Sequence, residues 1–166
     1  MAPRDVNKIR NRMSDVRLKG RNVMLFKTGD DGKATAKAFA CATSCSISSR
    51  LKLEETSDKD TPITGVQEMV GQEWDASTTN LMSDLAAYEE LMELHLAGTV
   101  ITIAIGTISN PNNDGLGGTN AAWALGATGG YFGKAIIESI ELTADNGSKA
   151  TYNAKFKGTS PLKKRK

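Results

Sequence analysis

Few side chains in this sequence are of types that do chemistry, and their spacing limits what that chemistry can be. There are two cysteines, Cys41 and Cys45, and one histidine, His95. A nucleophilic thiol or hydroxyl needs a base beside it. The one imidazole closes an amphipathic helical pattern, where a structural role is expected. Four residues apart on a strand, the cysteine Cα atoms sit about 13 Å from each other. A disulfide needs less than ~7 Å, so both are expected as free, half-buried thiols. With one possible nitrogen ligand, zinc is not expected. Glu89, Glu90 and Glu93 resemble a metal or catalytic patch, yet no histidine or further carboxylate converges on them, so they are read as a solvated helix face. Asn113, Asp114 and Gly115 hint at calcium, but the EF-hand spacing and its closing glutamate are missing. Gly115, Gly117 and Gly118 lack the dinucleotide spacing and its strand–turn–helix frame. The expectation is no enzyme, no cofactor and no metal, with the weight on binding or structural roles.

The chain has 166 residues, enough for one domain with a real core. Aromatics are only 5% and glycines number 16, a lean composition that leans toward β-structure without wholesale disorder. No run of ~18 apolar residues exists, and the first 20 residues hold no apolar signal core. Synthesis in the cytoplasm and no membrane contact are therefore expected. The net charge of +2 is unevenly spread. Residues 1–20 hold six basic groups against Asp5 and Asp15, and residues 163–166 are all basic. Residues 21–160 keep 11 of the 21 basic and 17 of the 19 acidic residues, a net of −6. Such ends can hold nucleic acid, or dock on acidic neighbours and aid solubility. Without interleaved aromatics, the second reading is preferred.

The elements are organised around residues 40–80. Cys45, Ile47, Leu51 and Leu53 share one parity, and Ser44, Ser46, Ser48, Arg50 and Lys52 share the other. A strand alternates its faces, so one face is apolar and the other small, polar and wet. On the return strand, 66–75, Val66, Val70 and Trp74 oppose Gln67, Gly71, Glu73 and Asp75. Between the two strands lies a polar connection, 54–65, far longer than the ~2–5 residues of an ordinary hairpin. It is either a loop or an arm that gains order against something else.

Around this stretch, strands are expected over 21–28, 33–53 with a bend near 38–42, 99–106, 134–144 and 150–157, with a shorter one within 120–128. In 134–144 the apolar set is Ile136, Ile140 and Leu142. In 150–157, Ala150, Tyr152, Ala154 and Phe156 point inward, while Thr151, Asn153, Lys155 and Lys157 point outward. Turns are expected at 29–32 and 145–147, and a loop over 109–118. A helix over 83–97 has Ser83 as N-cap, Asp84 in its first turn and Gly98 as its stop. Its stripe is Leu85, Tyr88, Met92 and His95 or Leu96, with Leu91 and Leu94 beside it. The fold class is mainly β: a β-sandwich or open barrel of about seven strands, with one flanking helix and a long hairpin arm.

The order of four pieces carries a resemblance. A strand ending in LKLEETSDKDTP, a return strand reaching EWDAS, the helix YEELMELHLAG with a strand straight after it, and the closing GYFGKAIIESIELTADNGSKATYNAKFKGTSPL together resemble major tail tube proteins of tailed bacteriophages. They cover roughly 43–162. The resemblance implies a tail-tube domain over 21–160, between a basic N-terminal arm, 1–20, and a basic tail, 161–166. It implies hexameric rings stacked into a hollow tube that encloses a tape measure protein and conducts DNA in transit, without binding it specifically. It also implies tail terminator and baseplate partners and a place in the virion tail. The inter-subunit arm would use Glu54, Glu55, Asp58, Lys59, Asp60 and Pro62. The expected lumen-facing residues are Ser44, Ser46, Ser48, Arg50, Lys52, Gln67, Glu73 and Asp75. Three rival readings are the inner tube of a contractile injection system, a carbohydrate- or protein-binding accessory domain, and a nucleic-acid-binding protein that uses its basic ends.

Overall fold

A computed structural model describes residues 20–32, 37–38, 42–56, 66–82, 85–109 and 125–166. A short 3-10 turn, Gly20–Asn22, leads into β1 (Val23–Thr28). There follow β2 (Lys37–Ala38), β3 (Ala42–Thr56), β4 (Val66–Leu81), α1 (Leu85–Leu96) and β5 (Ile101–Thr107). The chain ends in β6 (Tyr131–Thr143), β7 (Thr151–Gly158) and β8 (Lys163–Lys164). The strands form one antiparallel sheet in the order β2-β1-β5-β6-β7-β4-β3, with β8 paired to β6. The sheet rolls without closing. The Cys45 thiol on β3 donates to the Val23 carbonyl on β1 at 3.5 Å, although these strands lie toward opposite ends of the sheet. The expected mainly β fold, an open barrel with a flanking helix, is what forms. Residues 110–118 of the expected loop and most of the strand expected within 120–128 lie outside the described residues; Leu125 bridges to Ile108.

The core fills the inside of the roll. Leu25, Trp74, Ile103, Ile137 and Phe156 meet there, and Leu91 of α1 covers them. Burial of each such side chain contributes roughly 1.5–3 kcal/mol. Trp74 lies flat against two strands because Gly133 and Gly158 carry no side chain. A Cβ on Gly158 would stand 2.3 Å from the indole nitrogen. That nitrogen donates to the Ser160 carbonyl, tying the chain after β7 to the core. A smaller cluster of Met24, Phe26 and Ile108 lies apart from this core.

The helix sits with a different phase from the expected stripe. Leu85 and Leu96 are exposed, and Leu91 is the buried residue. Tyr88 meets Tyr152 edge to face, with ring centroids 5.8 Å apart. His95 Nδ1 lies 3.0 Å from the Ile137 carbonyl. Since a carbonyl only accepts, Nδ1 carries the proton, and the role is structural. Glu90, expected in water with Glu89 and Glu93, instead pairs with Lys27 at 2.9 Å. Gly98 ends the helix at φ 60, and the Thr99 amide donates to the Leu94 carbonyl at 3.0 Å. Ser83 and Asp84 lie outside the described residues.

Three bulges shift the sheet. Between Ile137 and Ser139 the register of β6 against β7 slips by one residue. A one-residue slip exchanges the faces. Ile136 therefore sits opposite Lys157, while Ile140 and Leu142 sit opposite Ala154 and Tyr152. The apolar set expected on this strand is thus split, and its buried members before the slip are Ala135 and Ile137. The other two slips lie between β3 and β4, one at Ala42/Ser44 and one at Lys52/Leu53.

Candidate functional site: an unpartnered arm and a polar sheet face

β3 and β4 outrun the rest of the sheet. β7 pairs with β4 only from Asp75 to Leu81. Among the described residues, 50–56 of β3 and 66–73 of β4 therefore have only each other as strand neighbours. At ~3.3 Å per residue this ribbon extends roughly 20 Å past the body. Its strands run to Thr56 and resume at Val66, so Glu54 and Glu55 belong to the ribbon, not to its connecting loop. Asp58, Lys59, Asp60 and Pro62 lie outside the described residues. An isolated two-stranded ribbon is at best marginally stable in water. This one also exposes Leu51 at 56%, Leu53 at 54% and Met69 at 64%. By register these three share the face of Ile47 and Trp74, so the apolar face of the core continues along the arm without cover among the described residues. Where the arm meets the body there is a groove of about 340 Å³, lined by Ile47, Ser49, Gln72, Ile105, Tyr131 and Leu162.

The opposite face of the same strands is polar. Partners directly across an antiparallel ladder share a face. Ser44, Ser46, Ser48, Arg50 and Lys52 oppose Thr79, Ser77, Asp75, Glu73 and Gly71. Seven of the eight expected lumen-facing residues thus share one face. Gln67 does not: past the slip at Lys52/Leu53 it pairs with Glu55, on the side of Leu53. Arg50 reaches Asp75 at 3.0 Å, and Lys52 reaches Glu73 at 2.7 Å. The Lys52 hydrogen bond, helped by the Lys157 and Arg50 charges, holds the Glu73 carboxyl below its ordinary value. These pairs are exposed and screened by solvent, so each is worth little. Their effect is to neutralise the face. The pairing of β4 with β7 adds Lys155 and Lys157, opposite Ser77 and Asp75. The alternation of β7 showed these lysines facing outward but not that they share this wall, because which strand lies beside which is not written in either strand.

The chain's end is more structured than a basic tail suggests. Arg165 is 4% exposed. Its Nε donates to the Gly32 carbonyl at 3.0 Å, Nη1 to Gly129 at 2.9 Å and Nη2 to Gly126 at 2.9 Å. No acidic neighbour is involved in these three bonds. Four consecutive basic residues read alike in sequence, so nothing in composition singled this one out.

Among the described residues, no group of three or more metal-ligating side chains converges, and no helix is long and apolar enough to cross a membrane. Burial pushes the Cys45 thiol up, away from nucleophilic reactivity. Cys41 lies outside the described residues. Of the larger polar aromatics, Trp74 and Tyr152 are buried, Tyr88 is half-buried, Tyr131 is exposed at the groove, and Trp123 lies outside the described residues.

An open antiparallel roll with an unpartnered arm and a neutralised polar wall is the design of a structural assembly protein. Residues 18–164 match the family model described as phage tail tube protein. The chain belongs to that family, whose members are structural components of virion tails. Solved structures show the same fold. The tail of an empty gene transfer agent particle, with C6 symmetry, is 15% identical with a TM-score of 0.63, covering 90% of this chain and 99% of that one. The SPP1 tail tube is 16% identical at 0.62, covering 90% and 80%. The six-fold symmetrised baseplate of the anti-feeding prophage is 7% identical at 0.54, covering 86% and 91%. No curated protein matches the sequence significantly.

Proposed function

We propose that six copies of this chain form a ring, that rings stack into a hollow tail tube, and that the tube encloses a tape measure protein and later conducts DNA. The observation that carries this reading is the arm, whose apolar face at Leu51, Leu53 and Met69 continues the core face and has no cover among the described residues. A second copy supplies that cover. A head-to-tail contact repeated by rotation closes a ring, and an axial one repeats without limit. The free sheet edges at β2 and β3 are a liability in a monomer, and side-by-side packing of copies removes it. The C6 symmetry of the gene transfer agent tail, which has the same fold, supports six copies per ring.

In this reading the polar face of β3, β4 and β7 lines the bore. Seven residues mark it: Ser44, Ser46, Ser48, Arg50, Lys52, Glu73 and Asp75. Glu54, Glu55, Asp58, Lys59, Asp60 and Pro62 belong to the arm that reaches the neighbour. Tail terminator and baseplate proteins cap the two ends of the tube, and the chain is made in the host cytoplasm. The basic stretch 1–20 is an arm that docks on acidic neighbours. The inner tube of a contractile machine is the second reading, favoured by the likeness to the anti-feeding prophage baseplate. A sheath on the outer surface of native particles would decide for it.

Deletion of residues 58–62 tests the arm. The intact chain is expected to form tubes in negative stain, and the deletion to leave small particles of unchanged circular dichroism. Normal tubes from the deleted chain would end the assignment.

A further inference from the structure

The outer side of α1 is an amphipathic stripe without cover among the described residues. At about 100° per residue, Leu85, Glu89, Glu93 and Leu96 fall within about 80° of the helix circumference. All four are exposed, Leu96 at 79%. Glu89 and Glu93 form no ion pair among the described residues, whereas Glu90, at the margin of the stripe, is held by Lys27. No nearby stretch of chain balances them. Residues 60–133 hold nine acidic residues and neither lysine nor arginine. His95, the helix's one basic side chain, is turned to the Ile137 carbonyl. The charged residues of β6, the strand beneath the helix, are Glu138, Glu141 and a Lys134 bound to Asp30.

One segment of the chain has the matching pattern. Residues 1–19 precede the described residues and carry six basic groups against Asp5 and Asp15. The family match begins at residue 18, so the fold shared with that family gives residues 1–17 no role. Val6, Ile9, Met13 and Val16 recur every three or four residues, the spacing of one helix face. On that spacing Arg10 and Arg17 border the apolar face on one side, and Arg12 and Lys19 on the other. Pro3 near the start and Gly20 after the end are the punctuation of a helix. The two stripes also agree in length. At 1.5 Å per residue, Val6 to Val16 spans ~15 Å and Leu85 to Leu96 ~16 Å.

We propose that residues 4–17 lie as a helix along the outer stripe of α1 in the same chain, apolar face to apolar face, with arginines on Glu89 and Glu93. The place where the described chain begins favours its own helix as the acceptor. Lys27 of β1 already reaches Glu90 at 2.9 Å, and Gly20 stands seven residues before Lys27. So short a tether raises the effective concentration to ~mM. A helix of this length is marginal alone in water, so it gains its order from the surface that covers its apolar side. The carboxylates of α1 repel nucleic acid and anionic lipid and favour a cationic occupant. This deepens the reading of residues 1–20 as a docking arm, rests on it, and names the acidic neighbour.

The test is trypsin digestion of the full-length chain under native conditions. The rate of cleavage after Arg12 reads the fraction of chains whose segment is undocked, and the free peptide 1–19 is the undocked reference. Cleavage in the intact chain is expected to be at least about tenfold slower than in the peptide. Leu96→Asp, and separately Glu89→Lys with Glu93→Lys, are expected to return it to the peptide's rate. These positions face solvent on α1, and tryptophan fluorescence confirms that each variant keeps its fold. Adding Arg10→Glu with Arg17→Glu to the lysine variant is expected to restore protection, with the charges exchanged. Protection indifferent to the α1 variants overturns the proposal. Protection that rises with chain concentration assigns the contact to a second copy, and protection seen only with added DNA duplex assigns the segment to nucleic acid; either overturns the same-chain choice. Protection lost through Glu54→Lys with Glu55→Lys, and not through α1, overturns the α1 assignment and leaves the docking-arm reading standing. Wild-type cleavage at the peptide's rate removes both.

Discussion

Replacing Arg165, one residue from the end of the chain, should destabilise the whole fold. Its guanidinium is almost wholly buried and donates to the carbonyls of Gly32, Gly126 and Gly129. Those oxygens belong to the turn after β1 and to the segment before β6. The backbone amide of Arg165 adds a bond to the Gly130 carbonyl at 3.0 Å. A hydrogen bond to a charged group is worth about 1.5–3 kcal/mol net. Three such bonds would sum to more than is lost, because the loops can turn part of their carbonyls toward water. About 4 kcal/mol is expected for Arg165→Ala, a large share of a typical 5–15 kcal/mol. Arg165→Lys keeps the charge but reaches fewer carbonyls, so about 2 kcal/mol is expected. Urea unfolding followed by tryptophan fluorescence reads this directly. At about 2 kcal/mol/M, the alanine variant's midpoint falls by ~2 M. Lys166→Ala, at an exposed position, should stay within about 0.5 kcal/mol. A loss below ~1 kcal/mol for Arg165→Ala would refute the reasoning, because the clamp would then contribute no more than an ordinary surface contact.

Further outcomes follow from the core and the polar face. Gly158→Ala forces a methyl group against the Trp74 indole and should cost about 3 kcal/mol, with a blue- or red-shifted tryptophan spectrum, whereas Gly20→Ala, which meets nothing within 4 Å, should be near neutral. His95→Ala removes the bond to the Ile137 carbonyl and should lower the thermal midpoint by the equivalent of about 1–2 kcal/mol, with tube formation retained. Glu73 has a depressed carboxyl, so its contribution is present above the ordinary value of 4.5 and lost as pH falls through the lower folded value. The urea midpoints of wild type and Glu73→Gln should therefore differ at pH 7 and converge as pH falls through the lowered folded value, and a constant difference would contradict the ion pair.

Alternation along single strands was legible in the sequence. The faces of β3 before the arm, the inward set of β7 and the turn at 29–32 all lie where parity and turn residues put them, because each is decided within a few residues. What could not be read depends on partners. The slips at Lys52/Leu53 and Ile137/Ser139 move Gln67 and Ile136 to unexpected faces, and a bulge is a property of two strands, not one. The helix phase depends on the floor beneath it: Leu91 faces the core and Tyr88 faces Tyr152, while Leu85 and Leu96 remain outside. Glu90 meets a lysine 63 residues earlier in the chain, beyond the reach of any local pattern. Arg165 is the extreme case, since its three carbonyl partners come from the turn at Gly32 and the segment holding Gly126 and Gly129.

Everything about assembly turns on which side of the sheet meets the bore. A six-fold-averaged electron cryo-microscopy map of tubes grown from the purified chain answers this in one measurement. The face of Ser46, Asp75 and Lys157 should line the channel, with α1 outside and the Leu51–Leu53 ribbon lying on an adjacent subunit. Tubes lined by α1, or a chain that stays single with its ribbon folded back on its own body, would contradict the account.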